Sequence, residues 1–308
     1  MSNTSNITYN NASGATSLVL AELISANVGE AFRDQAVLLQ TCDIMDISAQ
    51  PTTAASFPYL NVNLTASALS NEYDATSNTV MDFADSVATA TERTVSVEIG
   101  DFVAQSSVAD LVSFATREIT GELLASAETS VGAILAGFTA ASQAVGTSAA
   151  VLSWANMTSA FTNLRINAKQ YAGNAGFALY PTQIRDLLNE PISASLGLGR
   201  GFSQNELVQF FGQVPGTGIL RANVGTFMGC PVLSSDSVPV ASSVNSAGAL
   251  YVWGPGGAIG VAMKWAPKIA ISRSDVNGRM ATHILGSIAM GAIEKRDKLG
   301  VTIETIRA

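Results

Sequence analysis

Lysine is missing from the first 168 residues of this 308-residue chain, and histidine occurs once, at His283. Charge as a whole is scarce. Asp, Glu, Lys and Arg make up 13% of the sequence, about half of the ~25% found in ordinary soluble domains. The surface must then be built largely from Ala, Ser, Thr, Asn and Gly. So few charges protect a monomer poorly against association. Two readings fit: a neutral-surfaced secreted protein, or a protein whose surface faces neighbouring subunits. Cysteine is scarce too. Cys42 and Cys230 lie far apart without metal-type spacing, which excludes a disulfide framework or a zinc site and fits the reduced thiols of a bacterial cytoplasm. Long apolar runs are absent. The charge-free stretches Thr129–Leu164 and Ser237–Met263 are mostly small residues or are broken by Pro239, Pro255 and glycines. Neither offers the ~20 strongly apolar residues of a membrane span. Residues 1–16 are polar and hold no basic residue, unlike the start of a signal peptide.

The missing residues also exclude chemistry. A single histidine with no Gly-x-Ser-x-Gly elbow leaves no Ser-His-Asp or Cys-His set to assemble, and His283 reads as structural. No metal motif and no Walker loop is present. Two glycine runs remain. Gly197-Leu198-Gly199-Arg200-Gly201 follows no strand. Gly254-Pro255-Gly256-Gly257-Ala258-Ile259-Gly260 follows the strand-like Leu250–Trp253 and precedes Asp275, so a nucleotide-dependent enzyme using the Gly254–Gly260 loop is an alternative. The dinucleotide fingerprint needs a following helix within a βαβ unit. That context is missing, and the run reads as a structural turn. No enzymatic activity and no cofactor is expected.

What is present is distributed unevenly. Residues 1–150 hold 16 acidic residues against three arginines (Arg33, Arg93, Arg117), a net −13, while residues 151–308 carry 13 basic and 8 acidic residues, a net +5. An acidic half and a basic half could dock between copies. No Lys/Arg cluster has the look of a nucleic-acid footprint.

Periodicity predicts an α+β chain. After a polar arm over 1–16, Ser17 to about Gln40 has helical spacing. Leu60, Val62 and Leu64 alternate with asparagines, and Val95, Val97 and Ile99 alternate with polar residues, so 48–99 reads as a long two-stranded projection. An isolated two-stranded hairpin is marginal in water. Phe57 and Tyr59, at its base, have no evident own-domain core and are the candidate assembly contacts. A helix is predicted over Ser107–Phe138, opened by the capping-box pair Ser107 and Asp110 and carrying Val108, Leu111, Val112, Ala115, Ile119, Leu123, Ala127, Val131, Ile134 and Phe138 at helical spacing. Glu118, Glu122 and Glu128 are placed on its other faces, and Asp82/Asp85 and Glu118/Glu122 read as solvated acidic pairs at helical spacing. Further helices are predicted over Trp154–Asn167 and, after Pro181, over Thr182–Asn189. Residues 190–204 read as a loop, and strands are predicted at 176–180, around Ile219, and at 231–233, 250–253, 268–273, 280–288 and 301–306.

This order of parts resembles the Hong Kong 97-type fold of the major capsid proteins of tailed double-stranded-DNA bacteriophages. Two stretches strengthen the likeness: Gly176-Phe177-Ala178-Leu179-Tyr180-Pro181, a strand running into a helix, and Gly225-Thr226-Phe227-Met228-Gly229-Cys230-Pro231-Val232-Leu233-Ser234 followed by Val238-Pro239. The ending with Arg273, Asp275, Gly286, Glu294-Lys295-Arg296 and Gly300-Val301 is similar to the family's closing sheet. The resemblance implies an N-terminal arm (1–16), a peripheral domain (17–47, 100–149 and 263–308, with its spine helix at about 107–138), an extended loop (48–99) and an axial domain (150–262). It implies self-assembly into pentamers and hexamers of an icosahedral phage head, put together in the bacterial host cytoplasm around double-stranded DNA held by non-specific proximity. Its partners would be a scaffolding protein and a portal, with or without a cement protein, and no membrane. Because only about 16 residues precede the first predicted helix, a separate scaffolding protein and no large N-terminal cleavage are expected. An encapsulin-like nanocompartment shell is the alternative within the same fold. A lysine–asparagine cross-link, used by some relatives, needs an amine on the extended loop. The only basic residue between Thr41 and Glu98 is Arg93, whose guanidinium is a poor nucleophile, so a shell without covalent cross-links is expected.

Overall fold

A computed structural model describes residues 36–60, 83–100, 111–138, 144–147, 150–168, 174–189, 223–242, 245–276 and 279–306. The chain is mixed α and β, as its periodicity predicts, and divides into two compact units.

The first unit holds Met1–Asp34, Arg93–Leu124 and Ala266–Ile288. It takes most of β4 (Thr91–Gly100), the first half of α1 (Leu111–Leu135), and segments of β11 (Ile259–Val276) and β12 (Arg279–Glu294). Ala115, Ile119 and Leu123 form a buried ridge at four-residue spacing, which puts one helix face into the core. Gly286 on β12 lies under that ridge. A Cβ there would stand 2.3 Å from Ile119 Cγ2 and 3.1 Å from Leu123 Cδ1, so the strand admits only hydrogen where the helix presses closest.

Helix α1 is 25 residues long, about 37 Å at 1.5 Å per residue. The capping pair Ser107 and Asp110 falls outside the described residues. At the other end the helix stops at Leu135, three residues before the predicted Phe138. Gly137 N–H bonds back to Ile134 C=O at 2.8 Å and the Thr302 hydroxyl takes Leu135 C=O at 2.7 Å. Both satisfy carbonyls that a helix end leaves open. Phe138 then turns into the core, stacked on Tyr251 with centroids 6.2 Å apart and pressed against Gly300. Thr116, Thr120, Thr129 and Ser130 return their hydroxyls to carbonyls four residues back, the local partner available to a mid-helix hydroxyl.

The second unit holds Gln35–Glu92, Ala125–Trp265 and Ala289–Ala308. Its centre is a seven-stranded sheet in the order β5 (Val145–Gly146), β13 (Gly300–Ile306), β10 (Asn245–Val252), β6 (Ala175–Leu179), β8 (Cys230–Ser234), β7 (Asn223–Phe227), with β9 (Val240–Ser242) also beside β10. All eight residues of β10 and all five of β6 are buried, as in strands covered on both faces. Helix α2 (Trp154–Ala168) packs against β5, β10 and β13. Helix α3 (Pro181–Asn189) opens with proline, whose missing N–H costs nothing in a first turn. Gln183 sits fully buried there: it accepts Tyr180 N–H at 3.0 Å and donates to Thr305 Oγ1 at 2.7 Å and to Ile303 C=O at 3.3 Å. One amide thus ties the start of α3 to the sheet.

A second sheet runs β1 (Asp43–Asp46), β11, β12, β4, with β1 parallel to β11. Strands β2 (Ala54–Leu60) and β3 (Phe83–Thr89) form a hairpin of their own, in register from Ala54↔Thr89 to Leu60↔Phe83. This revises the projection. Val95–Ile99 belongs to β4, whose partner is β12, and residues 83–89 supply the hairpin's second strand. Asp85 is therefore on a strand and not on a helix face; Val62, Leu64 and Asp82 lie outside the described residues. So do most of the helix predicted from Ser17, the loop at 190–204 and the strand near Ile219. Residues 36–41, the end of that predicted helix, form a tight turn with a single 3₁₀ turn at Leu39–Thr41.

Candidate assembly site at the hairpin root

The two faces of the hairpin differ. Ala55, Phe57 and Tyr59 share one face with Ala84, Ser86 and Ala88, while Ser56 and Pro58 share the other with Phe83, Asp85 and Val87. Alternation along a strand makes this division. On the first face Phe57 is 2% exposed, within a cluster of Ile47, Ala55, Ala88 and Ala262, with Met45, Ala90 and Ile293 at its margin. The expectation that no own-chain core underlies Phe57 is corrected here. The ring fills a space opened by Gly260, where a Cβ would stand 2.9 Å from the ring. Tyr59 stays half-exposed.

Two consecutive cations hold this face. Lys295 Nζ lies 5.0 Å from the Phe57 ring centroid, and the Arg296 guanidinium 5.5 Å from that of Tyr59, each within cation–π range. Lys295, itself buried, also forms an ion pair with Asp43, and its carbonyl accepts the Ser86 hydroxyl at 3.2 Å. Asp43 in turn accepts Gly256 N–H at 3.1 Å. Nearby, Lys264 donates to the carbonyls of Ile47 and Gln50, closing the connection into β2. On β12, a Cβ at Gly291 would fall 2.0 Å from Thr89 O, so β12 and the hairpin's return make backbone contact there.

The opposite face is open. Phe83 is 68% and Val87 46% exposed, with Pro58 beside them. Pro58 lacks the N–H a further strand would need, as suits a strand at an edge.

A second anchor lies at residues 37–39. Glu128 of α1, placed on an outer face by the sequence, is 5% exposed. Its carboxylate accepts Leu38 N–H at 2.9 and 3.0 Å and Leu39 N–H at 3.1 Å. Burial pushes its pKa above the usual carboxylate range, opposed by those N–H bonds and by one from Val37, and assisted by the charge of Asp236. Glu118 and Glu122 are exposed, as predicted. The neighbouring Thr41 hydroxyl bonds Tyr251 Oη at 2.6 Å, and burial pushes the Cys42 thiol well up. A thiol kept protonated is inert.

The Gly254–Gly260 loop is a turn. Gly254 and Gly256 have φ of 76° and 75°, the left-handed region where glycine is favoured. The loop leads straight into β11, so no helix N-terminus is offered to a phosphate. Among the described residues no His/Cys/Asp/Glu group could hold a metal, and no helix is long and apolar enough to cross a membrane. His283 lies half-exposed on β12.

No family model and no curated protein sequence matches the chain. Solved structures do. The capsid of cyanophage P-SCSP1u aligns with a TM-score of 0.61 at 16% identity, covering 90% of each chain. The capsid of Ralstonia phage GP4 aligns with a TM-score of 0.63 at 12% identity, covering 87% of each. An encapsulin, SrpI of Synechococcus elongatus PCC 7942, aligns with a TM-score of 0.56 at 12% identity, over 86% of this chain and 85% of that one. The chain therefore has the fold of shell-forming capsid subunits. Within that class it is similar to phage capsid proteins with the Hong Kong 97-type architecture.

Proposed function

We propose that this chain is the major capsid protein of a tailed double-stranded-DNA phage, a structural subunit that works by assembling with copies of itself. The observation that carries this is the likeness to phage capsid subunits over about nine-tenths of both chains. The described residues add support: a two-stranded hairpin with one face bound to its own chain and the other left open, exposing Phe83 and Val87 beside the Ser56–Asp85 pair. Covering such a face with a neighbouring subunit buries area that a monomer cannot.

In this reading residues 1–16 are the arm, 17–47, 100–149 and 263–308 the peripheral domain, 48–99 the extended loop and 150–262 the axial domain. Pentamers and hexamers close an icosahedral head, assembled in the host cytoplasm with a scaffolding protein and a portal, with or without a cement protein. Phe83 and Val87 on the open face carry the main contact; Tyr59, half-buried beside Arg296, is a secondary assembly contact, and Phe57 contributes by holding the loop's root. The lack of lysine before Lys169 supports a shell without covalent cross-links. Boiling mature particles in detergent tests this: one band near 32 kDa supports it, and a ladder of pentamer- and hexamer-sized species contradicts it.

The encapsulin likeness favours one second reading, a nanocompartment enclosing protein. The contents of purified particles separate the two: double-stranded DNA in one case, a cargo enzyme in the other.

A further inference from the structure

The four residues Glu294-Lys295-Arg296-Asp297 link three parts of the second unit. Lys295 and Arg296 lie over the two aromatic rings of β2, and the Lys295 carbonyl holds Ser86 of β3. Glu294, one residue earlier, points elsewhere. Its Oε2 packs on Gly137, just past the end of α1, where an added Cβ would lie 3.0 Å from it. The turn thus touches the end of the long helix on one side and both hairpin strands on the other.

We propose that residues 294–297 form a charge-sensitive clamp, in which the ionisation of Glu294 at the end of α1 sets how firmly the hairpin root is held. The electrostatics follow from placement. The C-terminal end of a helix carries partial negative charge, and Asp297 repels a second carboxylate. Among the described residues Asp297 is the charged group that acts on Glu294, and Lys295 and Arg296 make contacts with Asp43, Phe57 and Tyr59. Burial, then Asp297, push the Glu294 carboxyl up to about 7. As a neutral acid it packs against Gly137. Ionised, it is driven from the helix end toward water and pulls the following two residues with it, loosening their hold on the rings. This holds for the isolated subunit whether or not the chain builds a shell.

The test is hydrogen exchange of the backbone amides of residues 54–60 and 83–89 in the full-length soluble subunit, from pH 5.5 to 8.5, corrected for intrinsic exchange. Each unit of pKa difference between clamped and loosened forms corresponds to about tenfold in their equilibrium. Exchange of the hairpin root should rise several-fold through pH 7, by up to about tenfold per such unit, while α3 and β10 stay unchanged. Glu294→Gln should be flat across the range and Asp297→Asn should move the midpoint to lower pH. A flat wild-type profile overturns the clamp, as does a wild-type rise that Glu294→Gln leaves intact. If Glu294→Gln does not fold, the Asp297→Asn midpoint decides: an unshifted midpoint overturns the proposal.

Discussion

The seven-stranded sheet and the hairpin sit in the same compact unit and are stabilised in opposite ways. Every residue of β10 is buried, and its neighbours on both sides belong to the same chain. Strand β3 alternates exposed and covered residues along its length, and its most exposed apolar residue is a phenylalanine. The sheet is finished within one subunit. The hairpin is half-finished: one face is clamped by Lys295 and Arg296, and the other offers Phe83 and Val87 to whatever covers it. In the proposed reading stability and assembly rest on different residues, and substitutions test that division.

The largest effect belongs to the sheet. Phe177→Ala removes a ring buried against Phe227 and should cost about 3–5 kcal/mol, enough to make the subunit insoluble or to lower its urea midpoint sharply. Glu128→Ala comes next. It strands the buried N–H groups of Leu38 and Leu39, a loss of about 1–3 kcal/mol, and Glu128→Gln, which keeps an acceptor, should lose less. Urea melts of the three proteins check the order.

The pH dependence is smaller. Glu294 has a folded pKa raised to about 7 against an ordinary carboxyl near 4.5. Between those values the folded state binds the extra proton, so stability is fully present below about 4.5, falls as pH rises, and levels off above 7. The carboxyl is only half-buried, so screening reduces the total to about 1 kcal/mol. Denaturant melts at pH 5 and pH 8, with Glu294→Gln as control, measure it. The smallest effect on folding belongs to the open face. Phe83→Ser with Val87→Ser should change stability by no more than about 0.5 kcal/mol, yet lower the yield of assembled particles severalfold. A folded double variant that assembles like the wild type would place the assembly contact elsewhere.

The sheet was largely legible because its signals are local. Pro181 opening a helix, the strand before it and the spacing Ala115–Ile119–Leu123–Ala127–Val131 all carry over into the structure. The hairpin was legible in kind but not in pairing. Period-two alternation identifies a strand without naming its partner, so Val95–Ile99 was paired with the wrong strand. Phe57 was read as lacking a core because that core comes from Ile47, Ala262 and the turn at Lys295, up to some 240 positions away in sequence. Glu128 was invisible for a related reason. Its partners are backbone N–H groups of residues 37–39, which leave no trace in side-chain pattern.

Electron microscopy of the purified, expressed chain over a range of concentrations tests the central claim most directly. Closed or partial shells displaying hexamers and pentamers are the predicted result. A protein that stays folded and monomeric at every concentration, with or without a co-expressed scaffolding partner, would contradict it.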